Sequence, residues 1–344
     1  MLSSTSNSDS VSTESDAGKR WLMTWLIALS LVAMTLGAVE YHWRGRDYRP
    51  TILDSTLLWS VQRDRVYAQS RTPLLLLGAS RIEFGVDMKV MRELLPRYLP
   101  IMLAVNAHYP LGTLRDLAKD ENFRGIVVCD VDSFGLLREL FEMQREYVRY
   151  YHQQWTPNWH LHRLLLNRWQ ARALIADPAF GLVASMRRWL DSAGEPFHNY
   201  INLHADRSGD LDFSRTDAEA IKRHFADTLE GNVAGMPKRS ADEWLADLAP
   251  VGEWAKRIEA RGGRVIFFQS AVHGLQQTAI DHVMPRALYW DRFASTVAIA
   301  LSGTDEPSLN AFPLPDDSHL DYHDKPAYTR ALVDVLVAHG WLQR

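Results

Sequence analysis

Thr72-Pro73-Leu74-Leu75-Leu76-Leu77-Gly78-Ala79-Ser80-Arg81 is the stretch that decides the fold. From Thr72 to Leu77 the apolar run has no polar break, and Gly78 ends it. Alternating polarity would mark a strand with one wet face; a continuous run marks a strand buried on both faces, as parallel sheets have. Open α/β sheets bind ligands at the carboxyl ends of such strands, and Ser80 stands there. Gly78 and Ala79 permit a tight turn and leave the hydroxyl unobstructed. Taken alone, the same block also reads as a serine helix N-cap.

Outward from this stretch the pattern repeats. Ile101 to Val105, Gly125 to Val131 and Arg264 to Gln269 are three further short apolar runs. Helical patterns lie between them, at Met88 to Tyr98, Leu111 to Lys119 and Ala241 to Arg261, and a closing helix at Pro326 to His339 follows. Strand and helix alternation of this kind predicts a parallel sheet covered on both faces over residues 71–344. Between the third and fourth runs lie about 130 residues, with helices expected at Leu136 to Gln153 and His160 to Ala176 and a polar, irregular part from Asn199 to Ser214. This reads as an insertion, about 136–240, packed over the strand ends where it would enclose a substrate.

The N-terminus is different. Residues 1–18 hold seven serines and two threonines and cannot bury a face, which predicts a disordered tail. After Lys19 and Arg20, the nineteen residues from Trp21 to Val39 are uncharged, long enough for one transmembrane helix. Residues 19–40 are therefore expected to anchor the chain, with a linker and helix at 41–70. A cleavable signal peptide is the rival reading, since Leu36-Gly37-Ala38 offers small residues near a cut. Trp21 and Trp25 suit an interfacial anchor. Basic residues flank both ends, Arg44, Arg46 and Arg49 on the far side, so charge does not set the orientation.

Composition narrows the function. The 344 residues are 47% hydrophobic and 23% charged, enough for a core and too apolar for wholesale disorder. With 38 basic and 42 acidic residues the net charge is −4, which supplies no field for gripping nucleic acid. The single cysteine, Cys129, rules out an internal disulfide and a cysteine-rich zinc module.

A second polar block, Pro315-Asp316-Asp317-Ser318-His319-Leu320, precedes the last helix. A serine nucleophile needs an imidazole to take its proton and a carboxylate to fix that imidazole's tautomer. An aspartate three residues before a histidine supplies both from one loop, although the block alone also reads as a polar loop capping the closing helix. Together with Gly78-Ala79-Ser80-Arg81, and with Val105-Asn106 and Gly112 between them, the order of blocks resembles the SGNH/GDSL hydrolase superfamily. Within it the chain is most similar to the exopolysaccharide O-acetylation and D-alanyl transfer branch.

The resemblance implies a flavodoxin-like α/β/α sandwich, often tethered outside the membrane. It implies Ser80 as nucleophile, His319 as general base and acid, and Asp316 rather than Asp317 as the residue orienting His319. The backbone N–H groups of Ser80 and Gly112 would hold the oxyanion, with Asn106 positioning the loop or donating its amide. Arg81 would hold an anionic substrate group or pair with Glu83 or Asp87. No cofactor is required. The substrate would be an acylated carbohydrate or small molecule, reached with or without a membrane-bound acyl donor protein. The superfamily's Gly-x-Asn-Asp block is absent; Cys129-Asp130-Val131-Asp132-Ser133-Phe134-Gly135 stands after the third strand instead.

That segment carries two rival readings. Without the missing block the domain would be a catalytically silent scaffold that binds a glycan or an export partner. Asp130 and Asp132, spaced i and i+2, also resemble the first motif of haloacid dehalogenase-type phosphatases, in which such a pair works around Mg²⁺; the plainer reading is that they end a strand and cap a helix. Elsewhere, His160 and His162 flank Leu161 at a spacing that does not share a helix face. Trp155, Trp159, Trp169 and Trp189, four of twelve tryptophans, would stack on sugar rings or fill a core.

Overall fold

Leu74, Leu75, Leu76 and Leu77 are all fully buried, and they divide between two cores. Leu75 and Leu77 join Ile101, Val127, Cys129, Val265 and Phe267 on one face of a sheet. Leu74 and Leu76 join Met102, Val128, Ile266 and Phe268 on the other. A strand with helices on both sides has no wet face, and hence no polar alternation.

This is the architecture of a computed structural model that describes residues 10–67, 71–192, 194–196, 198–234 and 239–344. Its strands are β1 (Thr72–Leu77), β2 (Tyr98–Met102), β3 (Ile126–Asp130), β4 (Ile201–Leu203), β5 (Gly209–Leu211), β6 (Arg264–Gln269) and β7 (Ala300–Ser302). The helices are α1 (Ser10–Arg44), α2 (Thr56–Asp64), α3 (Ser80–Gly85), α4 (Met88–Leu94), α5 (Leu111–Lys119), α6 (Arg145–Gln153), α7 (Trp159–Gln170) and α8 (Leu182–Leu190). They continue with α9 (Ala218–Ala234), α10 (Ala241–Asp247), α11 (Ala249–Ala260), α12 (Gly274–Val283), α13 (Trp290–Ala294), α14 (Pro307–Asn310) and α15 (Lys325–Ala338). The main sheet has five strands in the order β2-β1-β3-β6-β7, every pair parallel. Leu111, Leu114 and Leu117 of α5 and Val251, Ala255 and Ile258 of α11 cover one face. Met88 and Met91 of α4 and Leu332, Val333 and Leu336 of α15 cover the other.

Several boundaries differ from the sequence reading. β2 begins at Tyr98 and the helix before it ends at Leu94, because Pro96 disfavours the helical conformation at Leu95. Pro100 is tolerated because β2 is an edge strand. The amphipathic stretch from Ala241 is two helices that meet at Leu248, with Pro250 in the first turn of the second. Of the helix expected at Leu136 to Gln153, a 3₁₀ turn and α6 form. The stretch Asn199 to Ser214 is not irregular: β4 and β5 pair antiparallel as a hairpin. Of the tail expected to be disordered, residues 1–9 lie outside the described residues, and from Ser10 the chain is helical. No proline lies between Ser10 and Trp21, so the apolar helix extends upstream by propagation without a new nucleus, through Gly18.

The chain divides into two compact units, Met1–Thr51 with Trp169–Phe197, and Ile52–Arg168 with His198–Arg344. In the first, Gly18–Arg44 is long and apolar enough to cross a membrane. Trp43, Tyr48, Leu174 and Phe180 form a small core there, and the Glu40 carboxylate accepts from the N–H groups of Leu174 (3.0 Å) and Ile175 (3.1 Å).

Candidate functional site

In the second unit Ser80 follows β1 directly, as the first residue of α3. The N-cap position belongs to Ala79, which makes no side-chain cap bond, so the serine hydroxyl is not used as a cap. Its Oγ lies 2.8 Å from His319 Nε2. His319 Nδ1 lies 2.8 Å from Asp316 Oδ2. The network assigns the tautomer: Nδ1–H donates to Asp316, and Nε2 accepts from the Ser80 hydroxyl. Three residues separated by up to 239 positions thus form one relay.

Asp316 is locked before any substrate arrives. It is fully buried, and its Oδ1 accepts from the backbone N–H groups of Ser318 (3.0 Å) and His319 (2.7 Å). Burial pushes its carboxyl up, but the interaction with His319 and these hydrogen bonds outweigh that and hold it below the ordinary carboxylate range. Asp317 has a different task. Its backbone is left-handed, with φ 66°, a conformation that aspartate tolerates better than most residues. From there its carboxylate accepts from Leu275 N (2.8 Å) at the start of α12. It packs so closely on Gly274 that a Cβ there would collide with the carboxylate. One acid serves the histidine and its neighbour serves a helix.

Gly78 is required by packing. A Cβ there would meet Ile82 Cγ2 at 2.5 Å and Asp130 Cβ at 3.0 Å. Its carbonyl accepts from Val105 N (3.1 Å) and Gln144 Nε2 (3.2 Å). Gln144, unsuspected from sequence, also donates to His108 O (3.0 Å) and accepts from the Thr113 hydroxyl, tying the turn before Ser80 to the first turn of α5. Gly112 is buried in that first turn, where a Cβ would stand 3.1 Å from Phe141 O. Asn106 is exposed in the tight turn closed by His108 N to Val105 O (2.9 Å). Among the described residues neither Gly112 nor Asn106 hydrogen-bonds to Ser80, His319 or Asp316.

Arg81 does not pair with Glu83 or Asp87. Glu83 is two positions away and faces elsewhere on the helix, and Asp87 caps α4 by accepting from Lys89 N and Val90 N. Instead Arg81 Nη1 donates to Asp132 Oδ2 (2.7 Å) and Nε to Ser318 Oγ (3.1 Å). It thereby ties the histidine loop to the segment after β3. Asp132 Oδ1 accepts from Gly135 N (2.7 Å), so both its oxygens are committed. Asp130 Oδ1 accepts from the N–H and hydroxyl of Ser270 (3.0 and 2.9 Å). Burial pushes the Asp130 carboxyl up to about 6, against the lowering effect of Arg81. This pair thus ties the segment after β3 to Arg81 and to Ser270. Among the described residues no group of three or more His, Cys, Asp or Glu is placed to share a metal ion.

The insertion reaches the site through α9. The Phe225 ring lies 5.6 Å from the His319 ring, and Lys222 Nζ lies 3.8 Å from Asp317 Oδ1. Behind the site the hairpin brings in Arg207, fully buried, which donates to both oxygens of Asp54 (2.8 and 2.7 Å) and to Ala104 O (2.7 Å). Its Nη2 lies 3.9 Å from Glu83 Oε1. Neither Glu83 oxygen has a hydrogen-bond partner among the described residues. Of the remaining sequence candidates, His160 pairs with Asp64 (3.1 Å), and Trp159 is edge-on to His162. Trp169 and Trp189 are exposed and lie in the unit that contains α1.

Glu83 gives a stability prediction. Burial, partly offset by Arg207, pushes its carboxyl up from 4.5 to about 8. The folded protein keeps this proton up to about pH 8 while the unfolded chain loses it near 4.5. The folded state therefore binds more protons in that window, and stability falls as pH rises through it. Glu83→Gln removes the ionisation and is expected to flatten this fall. At pH 8 it should stabilise the protein by a few kcal/mol, since holding the proton one pH unit further costs about 1.4 kcal/mol. Thermal melts of both proteins from pH 4.5 to 8.5 test it; parallel curves would contradict it.

No protein-family model matches this chain, and a search of curated proteins finds no match. The site must therefore be interpreted from its own chemistry.

Proposed function

We propose that the chain is a membrane-anchored, serine-dependent acyl esterase or O-acyltransferase acting on a cell-surface or exported polysaccharide through an acyl-Ser80 intermediate. The observation that carries this reading is the Ser80–His319–Asp316 relay, with both hydrogen bonds at 2.8 Å. Its place supports it too. Numbered within the main sheet alone, the strand order is 2-1-3-4-5, that of flavodoxin-like folds. The order of strands reverses direction between β1 and β3, the crevice where such sheets bind ligands. Helices on both faces support the three-layer sandwich implied by the sequence resemblance.

In this mechanism His319 Nε2 takes the Ser80 proton as Oγ attacks the ester carbonyl. Asp316 stays ionised and stabilises the imidazolium that forms. The Ser80 and Gly112 backbone N–H groups would hold the oxyanion, with Asn106 positioning the loop or donating its amide; such donors contribute about 3 kcal/mol each. His319 then gives its proton to the departing alcohol, leaving acyl-Ser80. In the second half it takes a proton from water or from an acceptor sugar hydroxyl, whose oxygen attacks the acyl carbonyl, and it returns that proton to Ser80 Oγ as the acyl–Ser80 bond breaks. The acyl group is acetyl in our reading, and the domain lies outside the cytoplasm, held by α1.

The test is acetate release from an acetyl ester by the full chain in detergent, with and without EDTA, and with an acetylated or free polysaccharide as donor or acceptor. We expect release, unaffected by EDTA and partitioned toward transfer when a suitable sugar hydroxyl is present. Metal-dependent phosphate release with no esterase activity would favour the Asp130–Asp132 phosphatase instead. Folded protein with neither activity would leave the silent scaffold.

A further inference from the structure

Helix α8, Leu182-Val183-Ala184-Ser185-Met186-Arg187-Arg188-Trp189-Leu190, is two and a half turns long and exposes an unusual set of side chains. Val183, Met186, Trp189 and Leu190 are 66%, 53%, 81% and 67% exposed. At 100° per residue these four fall within one third of the helix circumference, with Arg187 at the edge of the arc. A face of this kind in water is a liability, so something of matching polarity covers it.

The packing of α8 indicates what. It belongs to the same compact unit as α1, and it meets α1 at Trp43. Trp43 Nε1 donates to Ser185 Oγ (3.0 Å), and the Arg188 guanidinium lies over the Trp43 ring at 5.8 Å. The groove between the two helices runs from Thr35 and Ala38, inside the uncharged run, to His42, Arg46 and Glu195 beyond it. The α8 side of this groove includes Met186 and Trp189. The helix therefore sits where α1 passes from apolar to charged sequence, which for a spanning helix is the headgroup level of the bilayer.

We propose that α8 is an interfacial helix that lays its Val183–Met186–Trp189–Leu190 face into the lipid leaflet from which α1 emerges. This rests on the reading of α1 as a membrane anchor. A tryptophan at the boundary and Arg187 beside the apolar arc are side chains that suit this depth: the indole bridges apolar and wet layers, and the Arg187 stem would run along the acyl surface with its charge at the headgroups. α8 and α1 would then hold the membrane at two points, so that the unit is fixed in tilt as well as in position.

The test uses the full chain in lipid nanodiscs, with the buried Cys129 replaced by alanine and a nitroxide label placed at position 186, 189 or 29 in turn. Collision with oxygen reports lipid, and collision with a water-soluble nickel chelate reports solvent. The proposal expects labels at 186 and 189 to collide with oxygen several-fold more than with the chelate, as the label at 29 does within α1. Labels at 186 and 189 dominated by the chelate, with 29 still in lipid, would overturn it. Labels at 186 and 189 shielded from both reagents would also overturn it, since a protein surface would then cover the face. A label at 29 that reads as water would show that the anchor reading itself has failed.

Discussion

Ser80→Ala and His319→Ala are each expected to reduce acyl-ester turnover by a thousandfold or more, on the order of the loss seen when either member of a serine–histidine pair is removed. The reason lies in the spacing. With Oγ 2.8 Å from Nε2, that imidazole is the base of the proposed mechanism; no other imidazole hydrogen-bonds to the serine among the described residues. The double variant should be no slower than either single one, because the two residues act as a unit. Additive losses would mean that they act separately. Folding is the control, since Ser80 and His319 meet beyond the carboxyl end of β1 and not among its packed leucines. Equal thermal melts with lost turnover are the expected result.

Asp316→Asn is expected to cost about 10⁴-fold in kcat with little change in fold, as when an asparagine presents the wrong hydrogen-bonding group to a catalytic imidazole. An amide in the position of Oδ2 presents either an N–H to Nδ1 or an oxygen that carries no charge. In the first case the imidazole is forced to carry its proton on Nε2, where it cannot accept from Ser80. The neighbouring acid gives the internal comparison. Asp317→Ala removes the acceptor for Leu275 N at the start of α12 and puts alanine at a left-handed position; together these should cost about 2 kcal/mol of stability, while turnover changes little. The two variants differ by one position in sequence and should differ by orders of magnitude in rate. Similar rates for both would show that the carboxylate facing His319 is not the one that orients it during turnover.

The parts of this arrangement that are legible in the sequence are those encoded locally. β1, α5 and β6 form with the boundaries that their patterns predict, the two strands because their central residues are apolar and buried on both faces, and α5 because Leu111, Leu114 and Leu117 recur at helical spacing. The Asp316–His319 pair is also local, three residues apart in one loop. β7 is three residues long and carries no periodic signal, so nothing in the sequence marks it. The hairpin of β4 and β5 reads as irregular because Asn202, Asp210 and Asp212 give it a polar surface; what fixes it is the packing of Gly209 against Phe84 of α3, where a Cβ would stand 2.7 Å from the ring. For Arg81 the sequence offers the nearby carboxylates Glu83 and Asp87, whereas its partner Asp132 is 51 residues on. Gln144 and Phe225 reach the site from the insertion, and no short motif announces side chains whose role exists only after the chain has folded back on itself.

Arg81 and Asp132 also bear on the block that the sequence lacks. Where the superfamily pattern places an asparagine donor after the third strand, this chain places an ion pair that braces the histidine loop through Ser318. In the proposed mechanism the oxyanion would then be held by backbone N–H groups and the turn at Asn106.

The most direct measurement is to treat the full chain with a fluorophosphonate and map the modified residue by peptide mass, beside His319→Ala. The account predicts a single adduct on Ser80 that His319→Ala all but abolishes. An adduct on another residue, or labelling of Ser80 that is indifferent to His319, would contradict it.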